Sequence, residues 1–224
     1  MQNLSQKKVI PNRDDALPGR IESVQINNKH FVHGRPIQEP FVSVDKESAN
    51  EFAKIIFGLG CFWGAERLFW QKEGVYTTAV GYGAGYTPNP TYEEVCSGLT
   101  GHNELVLVIY RPNEISLQQL LSIFFEAHNP TQGMQQGNDI GTQYRSGIYF
   151  FEGEYESNQL SIAEETLLSY QQELADSNYG KITTEINVIN NFYYAEEYHQ
   201  QYLAKNPNGY CGLGGTGIAC KLSV

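Results

Sequence analysis

The sequence predicts an α+β protein: a two-layer sandwich with a ferredoxin-like βαββαβ core, an extended N-terminal arm and a Gly-rich C-terminal tail. Three observations carry this. Short apolar, strand-like runs alternate with helix-period segments in the order β, α, β, β, α, β. Two capping boxes mark helix starts, Thr91 with Glu94 and Ser116 with Gln119. The two ends lack sustained periodicity, with Pro11, Pro18, Pro36 and Pro40 at the front and a run of glycines at the back.

Each element follows in order. Residues 1–50 read as an arm wrapping a catalytic core at 51–205, and 206–224 as a flexible tail, all within one domain. "KIIFGLG" (54–60) is a short buried strand, and "FWGAERLFWQK" a helix with Phe62, Ala65 and Phe69 on one face, ending at Gly74. "VYTTAVGYG" (75–83) is the second strand, "TYEEVCS" a short helix, and "ELVLVIY" (104–110) the third strand. "LQQLLSIFFEAH" is a helix, and 129–143 a long polar loop of the kind that carries function. "YRSGIYFF" is the fourth strand. A helix over 155–175, a strand at 183–189 and a final helix at 195–206 complete the reading.

Composition narrows the function. The 224 residues carry a net charge of −10, so a nucleic-acid partner is excluded for want of a basic patch. The N-terminus lacks the apolar stretch of a signal peptide, and "LVLVIY" is far too short to span a bilayer. A cytoplasmic protein away from membranes is expected. Four cysteines, Cys61, Cys96, Cys211 and Cys220, are too few for a disulfide scaffold, and none forms the C-x-x-C pair of a zinc site. No metal is expected, which leaves core thiols or reactive ones.

Cys61 stands where a strand gives way to a helix, and the N–H groups of a helix N-terminus stabilise a thiolate. The plainer alternative, a buried thiol acting as a small hydrophobe, yields to that placement. Phe62 and Trp63 follow directly; one first turn does not bury both rings in the same direction, so at least one walls a pocket suited to a methyl group. Glu104 opens an otherwise apolar strand. It is either a solvated end residue or a half-buried acid with a raised pKa, fit to donate a proton. His102 reads mainly as a turn histidine with local hydrogen bonds. "GYGAGYTPNPTYEEV" is a poor nucleotide loop but a reasonable frame for displaying Tyr82, Tyr86 and Tyr92, and "GNDIGTQYRS" presents Asp139 and Tyr144. Cys96 reads as structural. Cys211 and Cys220 lie in a tail with Gly209, Gly212, Gly214, Gly215 and Gly217, too mobile to hold core thiols and suited to thiol–disulfide exchange. A cysteine hydrolase built on Cys61, Glu104 and His102 remains open at this point, as does a non-catalytic binder using the same aromatic pocket; neither needs the tail thiols.

"GCFWGAE", "GYGAGYTPNPTYEEVCSGLTGHNE", "GNDIGTQYRS" and "GYCGLGGTG", in this order between about residues 54 and 220, resemble the peptide methionine sulfoxide reductase A family. "DALPGR" (15–20) resembles the longer arm of its bacterial members. The resemblance implies reduction of the S epimer of methionine sulfoxide, free or in oxidised proteins. It implies Cys61 as nucleophile, Phe62 and Trp63 as the methyl pocket, and Glu104 as the acid near the sulfoxide oxygen. Tyr92 and Tyr144 would hydrogen-bond that oxygen, with Asp139 a substrate-site neighbour. Cys211 would resolve the oxidised Cys61, and Cys220 would be the extra recycling cysteine. It further implies no cofactor, thioredoxin as external reductant and partner, and a monomer.

Overall fold

A computed structural model of the chain describes residues 6–39, 52–153 and 158–221. The arm's residues 40–50 and the start of the helix expected from residue 155 lie outside the described residues.

Strands β1 (Ala53–Gly58), β2 (Val75–Gly83) and β3 (Asn103–Tyr110) follow the apolar runs of the sequence. Helix α1 (Phe62–Trp70) lies between the first two, and α2 (Tyr92–Cys96) between the second and third. Helix α3 (Leu117–Ala127) leads to a two-stranded hairpin, β4 (Gln135–Gln136) and β5 (Asp139–Ile140), and then to β6 (Gly147–Phe151). Helix α4 (Gln159–Asp176), strands β7 (Glu185–Ile189) and β8 (Phe192–Tyr194) and the short α5 (Tyr202–Lys205) complete the order. Both capping boxes form, with Glu94 N–H donating to Thr91 and Gln119 N–H to Ser116.

Six strands join one sheet in the order β7-β6-β1-β3-β2-β8, antiparallel throughout except for the parallel β6–β7 pair. Because successive side chains in a strand point to opposite faces, residue parity sorts the core. Ile55, Phe57, Val106, Val108, Ile148 and Phe150 meet Phe69 of α1, Phe124 of α3 and Tyr170 of α4 on one face. Ile56, Leu105, Leu107, Ile109 and Tyr149 form a separate cluster on the other. The helical layer therefore covers one side of the sheet, as expected of an α+β protein.

Phe57 is fully buried, with its ring stacked on Phe69 (4.9 Å between centroids) and Phe124 (5.0 Å). Phe57→Ala should cost about 3–5 kcal/mol of folding free energy. Urea unfolding checks this: the midpoint should fall while the slope stays constant.

Three sequence expectations need correcting. The polar loop at 129–143 contains the β4–β5 hairpin and a single 3-10 turn, Thr142–Tyr144. Strand β8 was not foreseen, because three aromatic residues are too few to show a period. The helix expected over 195–206 is reduced to α5. His199, Gln200 and Gln201 are all buried to 1 % exposure, but not along one helical stripe. Their side chains reach different targets instead, and Gln201 adopts the left-handed conformation (φ +49°).

Candidate active site

Cys61 is the N-cap residue of α1, reached through Gly60, whose φ of +95° suits glycine. A Cβ at Gly60 would also lie 2.8 Å from Gln136, so the turn can close only without a side chain. The N–H groups of Trp63 and Gly64 draw the thiol pKa down, as a helix N-terminus should. Burial, the largest influence, and the carboxyl groups of Glu104 and Asp139 push it up, and they prevail. Burial thus holds the Cys61 thiol above its ordinary pKa, against the pull of the helix N-terminus.

Glu104, the second residue of β3 and paired across the sheet with Tyr82, is 2 % exposed. Its Oε2 accepts the N–H of Phe62 (3.1 Å), which ties the carboxyl to the residue beside Cys61. Burial lifts its pKa to about 8; the Phe62 N–H opposes this and Asp139 adds to it. At neutral pH Glu104 is thus a carboxylic acid with Oε1 left for the proton. Of its two sequence readings, the buried acid is the one realised.

The phenols of Tyr92 and Tyr144 both have raised pKa values, first through burial and next through Glu104, so both remain O–H donors beside that carboxyl. Tyr144 comes from the 3-10 turn after β5. Tyr92 opens α2, its N–H donates to Glu196 Oε1 (2.9 Å), and its hydroxyl pairs with the Cys96 thiol one turn on. Cys96, half-buried with a pKa pushed up to about 11, therefore touches a site phenol rather than serving the core alone. The remaining displayed phenols do not join them. Tyr82 is in the core with its hydroxyl on Glu196 Oε2 (2.9 Å), and Tyr86 is exposed.

Phe62 and Trp63 part company as first-turn geometry requires. Phe62 is buried among Val80, Tyr82, Val95 and Ala195. Trp63 is half-exposed, stacked on Tyr202 at 3.9 Å, and its indole N–H donates to His199 Nδ1 (3.0 Å). Asp139, on β5, accepts the Tyr210 hydroxyl (3.2 Å), which brings the tail across the site. Cys211 follows, and a Cβ on Gly64 would stand 3.0 Å from its sulfur. The second thiol thus lies against the first turn of the helix that Cys61 caps.

Cys220 is elsewhere. It is 7 % exposed and part of the main core, with its N–H donating to Glu126 Oε1 (2.7 Å) and its thiol bonded to Ser122 on α3. The Tyr170 hydroxyl of α4 donates to the Ile218 carbonyl (3.2 Å) and pairs with Thr216. The expectation that the tail holds no core thiol fails for Cys220, because Ile218 and Leu213 give the glycine-rich stretch apolar anchors. His102 takes the local role: burial lowers its pKa, and Nε2 lies 2.6 Å from the Thr87 carbonyl. No group of three or more His, Cys, Asp or Glu able to hold a metal occurs among the described residues. No helix among them is long and apolar enough to cross a membrane.

Sequence reasoning missed Glu66, Glu196, His199 and Gln201. Glu66 is fully buried on α1, and burial lifts its pKa to about 7 against three hydrogen-bond donors. The one available signal is the stretch "EEYHQQY", which is too polar all round for the helix expected over 195–206.

A family profile described as "Peptide methionine sulfoxide reductase" matches residues 53–219. "Peptide methionine sulfoxide reductase MsrA 1" of Synechocystis sp. is 60 % identical over 216 residues, covering 96 % of this chain and 91 % of its own. "Peptide methionine sulfoxide reductase MsrA 2" of Nostoc sp. is 58 % identical over 218 residues, covering 97 % and 93 %. Among solved structures, "Methionine sulfoxide reductase A of Corynebacterium diphtheriae" superposes with a TM-score of 0.81 at 42 % identity, over 96 % of this chain and all of that one. Reduced Mxr1 of Saccharomyces cerevisiae gives 0.65 at 35 % identity, over 76 % and 94 %. With an acid, two phenols and a capping cysteine gathered at one helix N-terminus, the chain belongs to the peptide methionine sulfoxide reductase family and is an enzyme that reduces methionine sulfoxide.

Proposed function

We propose that Cys61 is the nucleophile and Glu104 the proton carrier in this reduction, with the sulfoxide methyl against Phe62 and Trp63. The observation that carries the reading is the Glu104–Phe62 N–H bond, which holds a protonated carboxyl next to the sulfur. Glu104 gives its proton to the sulfoxide oxygen as Cys61 attacks the sulfoxide sulfur, and Tyr92 and Tyr144 donate to the same oxygen. The carboxylate left behind takes the Cys61 thiol proton, so Glu104 ends as it began. Oxygen passes to Cys61 as a sulfenic acid and methionine leaves. This route needs no resting thiolate, in keeping with a thiol whose pKa burial raises.

Cys211 then condenses with the Cys61 sulfenic acid, releasing water and forming a Cys61–Cys211 disulfide. The Cys220 thiol attacks Cys211, returning Cys61 as a thiol and leaving Cys211–Cys220 for an external dithiol. Because Cys220 is seated between α3 and α4, this exchange requires residues 213–221 to leave their seat. Thioredoxin as that dithiol, preference for the S epimer in free and protein-bound methionine sulfoxide, independence of any cofactor, a monomeric state and a cytoplasmic location all belong to this proposal. The cytoplasmic location rests on the sequence alone, the others on the family resemblance. Asp139 as a substrate-site neighbour rests on that resemblance too, whereas the division into arm (1–50), core (51–205) and tail (206–224) rests on the sequence pattern. The strand order β6-β1-β3-β2, with α1 and α3 as crossovers, supports reading the core as ferredoxin-like.

A single turnover tests the scheme: fully reduced protein, excess methionine-S-sulfoxide and no reductant, followed by counting of methionine and thiols. Methionine formed with thiols lost in pairs supports it; no methionine and no thiol loss refutes it. Gly64→Val should further separate the steps. A side chain there collides with Cys211, so disulfide closure should slow by about tenfold or more while the sulfoxide step suffers less. Rapid quench with thiol alkylation measures both.

A further inference from the structure

The contacts between α1 and the segment 195–202 point to a positioning role for a residue that takes no part in the scheme above. Glu66 lies three residues after Trp63, so both side chains leave α1 on the same side. Each grips the same stretch of chain. The Trp63 indole N–H donates to His199 Nδ1, and its ring stacks on Tyr202. One turn along, Glu66 Oε2 accepts the backbone N–H of Gln201 (2.7 Å), and Oε1 accepts the Gln201 side-chain amide (2.7 Å).

The grip extends into the body of the protein. His30 Nδ1 accepts the N–H groups of Val32 and His33 (both 3.2 Å), which leaves the proton on Nε2. Nε2–H therefore donates to Thr78 Oγ1 (3.1 Å), whose own proton goes to Glu66 Oε1 (3.1 Å). Gln201 Oε1 accepts the Phe31 N–H (3.1 Å) and so returns to the arm. Every donor in this ring has an acceptor, and the ring is buried, where leaving one unpaired is costly. It fixes Gln201 in its left-handed conformation. Between Gln201 and Glu196 lies His199, whose ring packs 5.1 Å from Phe62, 4.5 Å from Tyr92 and 5.7 Å from Trp63.

We infer that Glu66 is a positioning residue for sulfoxide binding: by clamping Gln201 it sets the His199 ring, which in turn sets Trp63 and Phe62 around the substrate methyl. This rests on the proposed methyl pocket. Contacts to the methyl exist in both the bound ground state and the transition state, so loosening them should raise the half-saturation concentration more than it lowers the rate.

The test is Glu66→Gln, which puts an amide N–H where the Gln201 or Thr78 donor needs an acceptor. In single turnovers with methionine-S-sulfoxide, the half-saturation concentration should rise about tenfold while the saturating rate stays within about threefold. The Trp63 indole N–H, assigned against Trp70 by a Trp63→Phe variant, should exchange with solvent faster. Adding Gln201→Glu restores one acceptor facing one donor and should recover much of both effects. Should Glu66→Gln fail to fold, Gln201→Ala should move both readouts in the same direction. Unchanged half-saturation, with or without faster indole exchange, overturns the inference, as does an equal loss in rate and binding that the paired variant does not recover. If the wild type itself forms no methionine, it is the nucleophile scheme that falls, and indole exchange still reports on the clamp.

Discussion

Glu104→Gln is expected to slow the sulfoxide step by about 10²–10⁴-fold, the range spanned by a positioned general acid. The amide keeps the shape and can still accept the Phe62 N–H through oxygen, so the site should survive with Cys61 still open to alkylation. What is lost is a proton that can leave at neutral pH and a carboxylate that can take the thiol proton afterwards. Wild-type-like single-turnover rates in the variant would remove Glu104 from the chemistry.

The pH profile sharpens this. Glu104 acts in its protonated form, and its pKa is raised to about 8. The wild-type rate should therefore hold below that value and fall as pH rises through it, whereas the variant should show no such limb. Wild-type stability should fall over the same rise in pH. A folded-state pKa above the unfolded one favours folding fully only below the unfolded value, about 4.3 for glutamate, and that contribution disappears as pH rises through the folded value. Above pH 8 the wild type buries an ionised carboxyl and the variant does not, so Glu104→Gln should melt at higher temperature there. A residue whose removal stabilises the fold while stopping the reaction is held for function.

What could be read in the sequence was whatever a local pattern encodes. Strands β1 to β3 showed as apolar runs, and the starts of α2 and α3 as capping boxes, because a cap is satisfied within four residues. The ordered motifs also brought Cys61, Glu104, Tyr92, Tyr144 and Asp139 onto one list, and the fold brings them to one place. Long-range partners stayed hidden. No local rule says that the buried glutamate of α1 needs Gln201 as its donor, or that the "EEYHQQY" segment abandons helical geometry to supply it. The balance of influences on the Cys61 thiol was hidden for the same reason. The helix N-terminus is visible in sequence, but the burial and the two carboxyl groups that overcome it arrive from β3 and β5. Cys220 was misplaced because glycine content spoke for mobility while Leu213, Ile218 and the Glu126 carboxylate anchored the tail.

Cys211→Ser is expected to give about one equivalent of methionine per protein and then stop, even with thioredoxin, its reductase and NADPH present. The first step needs only Cys61 and Glu104, so the burst should persist. The sulfenic acid then has no thiol against α1 to condense with and should be trapped by dimedone at Cys61. Cys220 is the only other tail thiol, and it cannot substitute from its place between α3 and α4 unless the Glu126, Ser122 and Tyr170 contacts release it. Cys220→Ser should behave differently: the Cys61–Cys211 disulfide forms at the normal rate and accumulates, and peptide mapping finds that pair in place of Cys211–Cys220. Sustained thioredoxin-linked turnover by Cys211→Ser would remove Cys211 from the relay. Normal cycling by Cys220→Ser would mean instead that the external dithiol reaches the Cys61–Cys211 bond itself, and that the burial of Cys220 reflects packing rather than a thiol held in reserve.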